Sequence, residues 1–191
     1  MKPPPGAMRE RRTSTKESLA GQLLLAHPAM RDSNFCRTVV LMSAHDSDGA
    51  MGVVLNRPLG QRLGQLNGQF ALGPLSDVEV FRGGPVQTEQ LILAAWQFRS
   101  DGFKLYFGIE PEKAEQLKSE DGLHVRAFLG YSGWVRGQLE KELKQDTWVI
   151  AHVPGNLLEQ PQDMGLWRAV LGGMGPEWKL LANEPEDPAE N

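Results

Sequence analysis

The stretch FLGYSGWVRGQLEKEL, residues 128–143, decides how the fold is interpreted. It begins with apolar residues, passes through Gly130 and Gly133, and then shows helical spacing of its apolar positions: Val135, Leu139 and Leu143. Glycine supplies the backbone freedom that a sharp turn needs, and a large indole can fill the space below such a turn. The stretch therefore predicts a strand that turns into a helix over 134–145, with Trp134 packed beneath the corner.

Short apolar, partly β-branched segments on both sides of this stretch are typical of strands. They are residues 22–26, 37–44, 50–56, 78–81, 91–98, 103–108, 124–130 and 147–153. The turn residues HDSDG (45–49) predict that the second and third of these segments form a hairpin. Segments 111–119 and 164–173 have the composition and end signals of helices. Strand-rich runs with interspersed helices favour an α+β fold.

The composition fits one globular domain of a protein with 191 residues, 40% of them apolar and 23% charged. The longest apolar run, 91–96, is too short to cross a membrane, and no apolar core follows the basic N-terminus as it would in a secretory signal. Cys36 is the only cysteine, which excludes an internal disulfide and predicts a cytoplasmic location. Its place at the start of a predicted strand suggests a buried thiol.

The two ends of the chain differ from its body in composition. Residues 1–18 are rich in proline and basic residues, and residues 182–191 carry four acids and no base, so both predict disordered tails around a domain spanning 19–181. The body has no concentrated basic surface, which disfavours nucleic acid as a partner.

Ser132 is the obvious candidate for a nucleophile, but its surroundings argue against one. The G-x-S-x-G pattern needs glycine at position 134, where this chain has Trp134, and only His152 follows as a possible base. The glycines also lack the spacing of phosphate-binding loops. The sequence therefore predicts a structural corner and no catalytic residue.

The remaining motifs predict neither a metal nor a cofactor. The four histidines are widely spaced, and HDSDG lacks the glycine position and closing glutamate of a calcium loop. The RGGPV stretch (82–86) must form an irregular turn, where Arg82 has either a solvated position or a role in binding an anion.

Three segments together resemble the YqgE/AlgH family of bacterial proteins. They are residues 23–58, FRGGPV (81–86) and FLGYSGWVRGQLEKEL (128–143), and the resemblance extends over nearly all of 19–175. It implies a single α+β domain with a bifurcated, mixed or antiparallel sheet that forms a small barrel surrounded by helices. The family pattern commonly has alanine at position 132, which again speaks against Ser132 as a catalytic group.

The family motifs include polar side chains that are costly to bury unless they are paired. These residues either satisfy backbone groups at corners or form a cleft for a ligand or a partner chain. We expect the VLNRP corner, the RGGP turn and the GYSGW segment to converge on one surface. The candidate residues of that surface are Asn56, Arg57, Arg82, Gly83, Gly84, Tyr131, Trp134, Gln138 and Glu140.

The sequence thus favours a non-enzymatic binding or regulatory module with an unknown protein or small-molecule partner. One alternative is a hydrolase-like enzyme with an unfamiliar site, which uses Arg57, Glu140 and a water molecule. Another is a DNA-binding transcriptional regulator, a role attached to one branch of the family. The chain shows no recognisable DNA-reading motif.

Overall fold

Nine strands and five helices make up the part of the chain, residues 17–100 and 102–185, that the computed structural model describes. The strands are β1 (Leu23–Ala26), β2 (Val39–Asp46), β3 (Gly49–Val54), β4 (Pro58–Arg62), β5 (Glu79–Arg82), β6 (Val86–Arg99), β7 (Gly102–Phe107), β8 (Leu123–Val135) and β9 (Trp148–Ala151). The helices are α1 (Leu63–Leu66), α2 (Pro111–Lys118), α3 (Gln138–Lys144), α4 (Met164–Gly172) and α5 (Pro176–Ala182).

Strand β8 is the branch point of the sheet. The order is β4-β5-β8-β3-β2-β1-β9, and β6 pairs with both β8 and β7. Residues 123–129 of β8 pair with β6, and its end, residues 132–135, pairs with β3. Only the β5–β8 pair is parallel among the strand pairs of the described residues. The predicted α+β class and the bifurcated sheet are confirmed, and the sheet curls into a half-barrel.

The predicted corner at GYSGW is wrong, because β8 continues through these residues and α3 begins only at Gln138. Gly130 has a φ of 69°, and the pairing of β6 with β8 shifts register at this point. A glycine in the left-handed region forms a bulge that bends a strand without ending it. Ser132 and Gly133 then pair with Gly52 and Met51 of β3, so the ladder resumes. Val135, predicted on the apolar stripe of a helix, is 72% exposed at the end of the strand.

The hairpin of β2 and β3 is confirmed, with Asp46 opposite Gly49. Strand β2 begins later than predicted, because Arg37 has a φ of 54° and belongs to the turn before it. Cys36 lies in the same turn and is half-buried, so the prediction of a buried thiol at the start of the strand is wrong. Three elements were not predicted: β4, α1 and α5.

Alternating residues of the central strands enter two cores on opposite faces of the sheet. Leu23 and Leu25 join the inner core, which α4 and α5 cover with Leu166, Trp167 and Ala182. Leu24 joins the outer core, which contains Trp134, Leu139 and Trp148. All three leucines of β1 are fully buried, and each contributes about 2 kcal/mol by leaving water.

Both ends of the described chain contact the domain. The Ser18 hydroxyl donates to the backbone oxygen of His45. Ala182, placed by the prediction in the acidic tail, is buried in α5. Residues 1–16 and 186–191 of the predicted tails lie outside the described residues. No helix in the described segments has the length and apolar character to cross a membrane.

Candidate functional site

A cleft of about 850 Å³ opens where the β3–β4 corner, the β5–β6 turn and the start of α4 meet. The VLNRP corner contributes Asn56, Arg57 and Pro58, and the RGGP turn contributes Arg82, Gly84 and Pro85. The other lining residues come from the turn before β2, from β6, from β8 and from α4: Ser33, Asn34, Thr88, Glu89, Leu129, Asp163 and Met164, with Val54 and Leu59 beside the corner.

Asn56 is a backbone clamp at the base of the cleft. Its side chain is buried, its Oδ1 accepts from the Val39 amide at 2.9 Å, and its Nδ2 donates to the Arg37 carbonyl at 2.9 Å. Both groups of its amide are therefore satisfied by the backbone on either side of Thr38, directly after Arg37, whose φ is left-handed. Asn56 therefore satisfies backbone groups at a corner, which is one of the two roles that the sequence predicts for the polar motif residues.

Arg57 crosses the cleft wall and is half-buried. Its Nη2 donates to the Cys36 carbonyl at 2.7 Å, and its Nη1 lies 2.9 Å from the Met164 sulfur. Thioether sulfur is a weak acceptor, so this guanidinium, with five N–H donors, still has donor capacity. Arg57 thus joins the corner to α4 and also presents a cation to the cleft.

Arg82 presents a second cation beside the first. Its backbone amide donates to the Arg57 carbonyl at 2.8 Å, which fixes the two residues next to each other. Its side chain is exposed, and among the described residues its guanidinium has no hydrogen-bond or ion-pair partner. The cleft therefore contains one arginine whose donors are all available.

Two acids balance these cations. Glu89 is exposed on β6. Asp163 is the N-cap of α4, where its Oδ1 accepts from the Gly165 amide at 2.8 Å. One carboxylate oxygen is thus committed to the helix start. The cleft combines positive and negative groups and is not uniformly basic.

The two glycines of RGGP allow the turn to pass directly over β8. A Cβ atom on Gly83 would overlap the Gly130 carbonyl oxygen, and one on Gly84 would overlap that of Tyr131. Gly83 donates to the Leu129 carbonyl at 2.8 Å and accepts from the Val54 amide at 2.9 Å. These contacts bring the RGGP turn, the VLNRP corner and β8 together at the backbone level.

Ser132 contributes to the same junction. It is fully buried, and its hydroxyl donates to the Gly83 carbonyl at 3.2 Å. The hydroxyl therefore supports the turn from below and is inaccessible to a substrate.

The other four predicted residues lie away from the cleft. Tyr131 is half-buried against the inner core. Trp134 stacks on Phe35 in the outer core and donates through its indole to Glu142 at 2.9 Å. Gln138 also donates to Glu142 at 2.9 Å. It remains a prediction that Tyr131, Trp134, Gln138 and Glu140 form a surface for a partner.

Glu140 pairs with His45 at 3.2 Å. The Leu19 amide donates to Nδ1 of that histidine at 3.0 Å, so Nε2 carries the proton that faces Glu140. Glu140 lines a separate surface depression together with Arg136 and Lys141.

The sequence interpretation missed two contributors to the cleft, Asp163 and Met164. They follow Arg57 by more than a hundred residues, and no local pattern joins them to the VLNRP corner. Among residues 17–100 and 102–185, no group of three or more His, Cys, Asp or Glu side chains is placed to hold a metal ion.

Comparisons with known proteins agree with the resemblance seen in the sequence. The model of a family described as AlgH-like matches residues 23–179. A UPF0301 protein of Streptomyces coelicolor is 35% identical over 186 residues, covering 91% of this chain and 96% of that protein. One from Magnetococcus marinus is 36% identical over 180 residues, with 87% and 94% covered.

Two solved structures have a similar fold. The solution structure of AlgH from Pseudomonas aeruginosa has a TM-score of 0.64 at 25% identity and covers 92% of this chain and 99% of that one. A crystal structure of a protein from Corynebacterium diphtheriae has a TM-score of 0.66 at 20% identity, with 86% and 92% covered. The second likeness shows the fold alone.

Proposed function

The chain belongs to the AlgH-like family, and we propose that it is a non-enzymatic, cytoplasmic binding module whose cleft takes the anionic group of a small molecule. The cytoplasmic location is supported by the single cysteine, Cys36, which suits a reducing compartment. The ligand enters between the VLNRP corner and the RGGP turn.

The observation that carries this proposal is the guanidinium of Arg82, which has no partner within residues 17–100 and 102–185. It stands beside Arg57 in a concave cleft, and the backbone hydrogen bond between the two residues fixes their spacing. A guanidinium offers parallel N–H donors that match a carboxylate or phosphate group. A ligand that engages both arginines would gain charge-assisted hydrogen bonds at little cost in backbone ordering.

Glu89 and Asp163 make the site selective. A simple polyanion would meet their negative charges at the rim. A ligand with a hydrogen-bond donor or a cation next to its anionic group would contact both kinds of residue. The cleft therefore favours a zwitterionic or amphoteric metabolite over a polyanion such as duplex DNA.

The hydrolase alternative requires Arg57 and Glu140 to act at one place. Their separation supports a binding role instead. Arg57 lines the cleft, whereas Glu140 pairs with His45 and lines a different depression beside α3. General acid–base catalysis needs its groups within hydrogen-bond reach of one reacting centre. Arg57 and Glu140 belong to two separate sites.

A thermal-shift screen against amino acids, phosphorylated metabolites, nucleotides and short duplexes tests the proposal. A ligand at a hundred times its dissociation constant adds about 2.7 kcal/mol to the free energy of unfolding. For a chain of this size we expect the midpoint to rise by roughly 5–10 °C.

Variants locate the site of any hit. We expect Arg82→Ala to abolish the shift and to leave the midpoint of the free protein unchanged, because its side chain is exposed. Arg136→Ala removes an exposed arginine outside the cleft and should retain the shift. A ligand that still raises the midpoint of Arg82→Ala would contradict this assignment. So would a screen in which no compound raises the midpoint of the wild type.

A further inference from the structure

Arg126 lies in the interior of the half-barrel, although arginine is rarely found in a core. It is 6% exposed and sits on the face of β8 that also carries Phe128. The carbon at the centre of its guanidinium is 4.4 Å from the ring centre of Phe81 and 5.1 Å from that of Trp96. Stacking on two rings stabilises the cation but supplies no formal negative charge.

This buried cation has no carboxylate partner within 4 Å among the described residues. Burial lowers the pKa of Arg126 to about 10, and the charge of Glu79 only partly opposes that effect. The side chain is therefore still a cation at neutral pH. A buried charge without a counter-charge is costly to retain in a fold.

Two nitrogen donors beside this cation also lack a hydrogen-bond acceptor among the described residues. Nη1 of Arg126 and Nε1 of Trp96 are buried and have no acceptor among the described residues. The other terminal nitrogen, Nη2, donates to Oε1 of Gln162, a neutral side chain. Buried donors without an acceptor are uncommon and call for an explanation, of which a bound water or anion is one.

We propose that Arg126 and Trp96 form an internal binding site for the carboxylate of a small organic acid. The guanidinium carbon of Arg126 lies 5.1 Å from the centre of the Trp96 ring, and in this proposal the two oxygens of one carboxylate accept from the two groups. The neighbouring side chains Phe98, Phe103 and Leu105 would contact the apolar body of such an acid. Phosphate, with a larger charge, would cost more to bury.

Gln162 would control entry to this site. Its Nε2 donates to the carbonyls of Leu157 and Gln160, so it belongs to the loop before α4. Because Nη1 is fully buried, the acid reaches it only when this side chain moves aside. The site is distinct from the cleft of Arg57 and Arg82 and goes beyond the proposed function.

The indole N–H resonance of Trp96 in ¹H–¹⁵N spectra tests this proposal. Sodium benzoate and sodium acetate are titrated into the ¹⁵N-labelled protein, with sodium chloride and sodium phosphate at the same ionic strength, and Trp96→Phe assigns the resonance. We expect both carboxylates, benzoate more tightly, to shift it saturably. Chloride and phosphate should leave it in place.

Three variants decide what causes the shift. We expect Arg126→Met to weaken carboxylate binding at least about tenfold, because the charge-assisted contact is lost. Arg136→Met, the same change on an exposed arginine, and Arg82→Ala, in the cleft, should bind as the wild type does. Loss of the Trp96 shift in Arg82→Ala would overturn the separation of the two sites.

Trp96→Phe keeps an aromatic ring and loses the N–H, so it remains informative if Arg126→Met fails to fold. We expect about fivefold weaker binding of benzoate, measured by calorimetry. Unchanged affinity in Trp96→Phe would overturn the proposal. So would an indole resonance that no carboxylate moves, which would leave a buried water as the occupant.

Discussion

Asn56 shows how one buried amide can fix the backbone around a binding cleft. Its two hydrogen bonds go to the Arg37 carbonyl and the Val39 amide, directly after the φ torsion of Arg37, which at 54° is unfavourable for a side chain of this size. The same turn positions the Cys36 carbonyl that receives Arg57. Precise placement of the cleft arginine therefore depends on a residue whose own side-chain amide is committed to the backbone.

We expect Asn56→Ala to lower the free energy of unfolding by about 3 kcal/mol, because it leaves a buried amide and a buried carbonyl without partners. Asn34→Ala, an exposed asparagine in the same cleft, should change it by less than about 0.5 kcal/mol. Urea unfolding measures both. Equal effects of the two substitutions would contradict the clamp.

His124 lies on the same strand as Arg126, and its pKa depends on the charge of that arginine. Partial burial of its imidazole lowers the pKa of His124, although the residue as a whole is exposed, and the charge of Arg126 lowers it further. Because the folded-state pKa lies below the unfolded value, the unfolded chain binds more protons between the two values. This group therefore adds stability as pH rises through that window and nothing further above it.

We expect Arg126→Met to raise the pKa of His124 in an NMR titration, but only part of the way, because burial remains. Arg136→Met should leave the curve unchanged. An unchanged His124 pKa in Arg126→Met would mean that the Arg126 charge does not reach this histidine.

Strand β8 determines the architecture at the scale of elements, because one continuous strand serves two branches of the sheet. The short, largely apolar segment 124–130 predicted its first half. For its second half the sequence predicts a corner and a helix. Glycines and apolar residues at i, i+4 spacing occur both in bulged strands and at helix starts, so the pattern alone does not distinguish them. Pairing with β3, a contact remote in sequence, decides between them.

Substitution of the glycine at the bulge tests this view of β8. A Cβ atom on Gly130 would lie 2.7 Å from the Gly84 oxygen and 2.8 Å from the Val86 oxygen. We expect Gly130→Ala to cost at least about 3 kcal/mol, from this overlap together with the strained φ. Circular dichroism during urea unfolding gives the value.

Gly137→Ala is the matched control. Gly137 has a similar φ of 75°, but no atom of the residues that the structure describes lies within 4 Å of its added Cβ atom. It should cost only about 1 kcal/mol. A Gly130→Ala protein as stable as Gly137→Ala would show that β8 tolerates a side chain at the bulge.

For the whole molecule, sequence patterns predicted the fold class and most elements but only part of the site. Arg57 and Arg82 were recognisable because each stands beside residues that break regular structure. Asp163, Met164 and Arg126 were not, because their significance arises from contacts made across the half-barrel. An arginine inside an apolar strand pattern was the available signal for Arg126.

The remaining alternative, a DNA-binding regulator, also concerns the whole chain. A basic tail can give weak, salt-sensitive affinity for duplexes without a folded DNA-reading surface. We expect a variant lacking residues 1–16 to lose whatever duplex affinity the full chain shows, measured by fluorescence anisotropy at two salt concentrations. Specific binding that survives this truncation at moderate salt would contradict our preference for a small molecule.

The central claim is that the cleft of Arg57 and Arg82 binds an anionic group. A titration with inorganic phosphate, and then with the best thermal-shift ligand, followed by ¹H–¹⁵N backbone spectra tests it most directly. We predict saturable shifts at amides around the cleft, including Gly84, Thr88 and Gly165, which disappear in Arg82→Ala and persist in Arg136→Ala. Shifts scattered over the surface, or unchanged in Arg82→Ala, would contradict the claim.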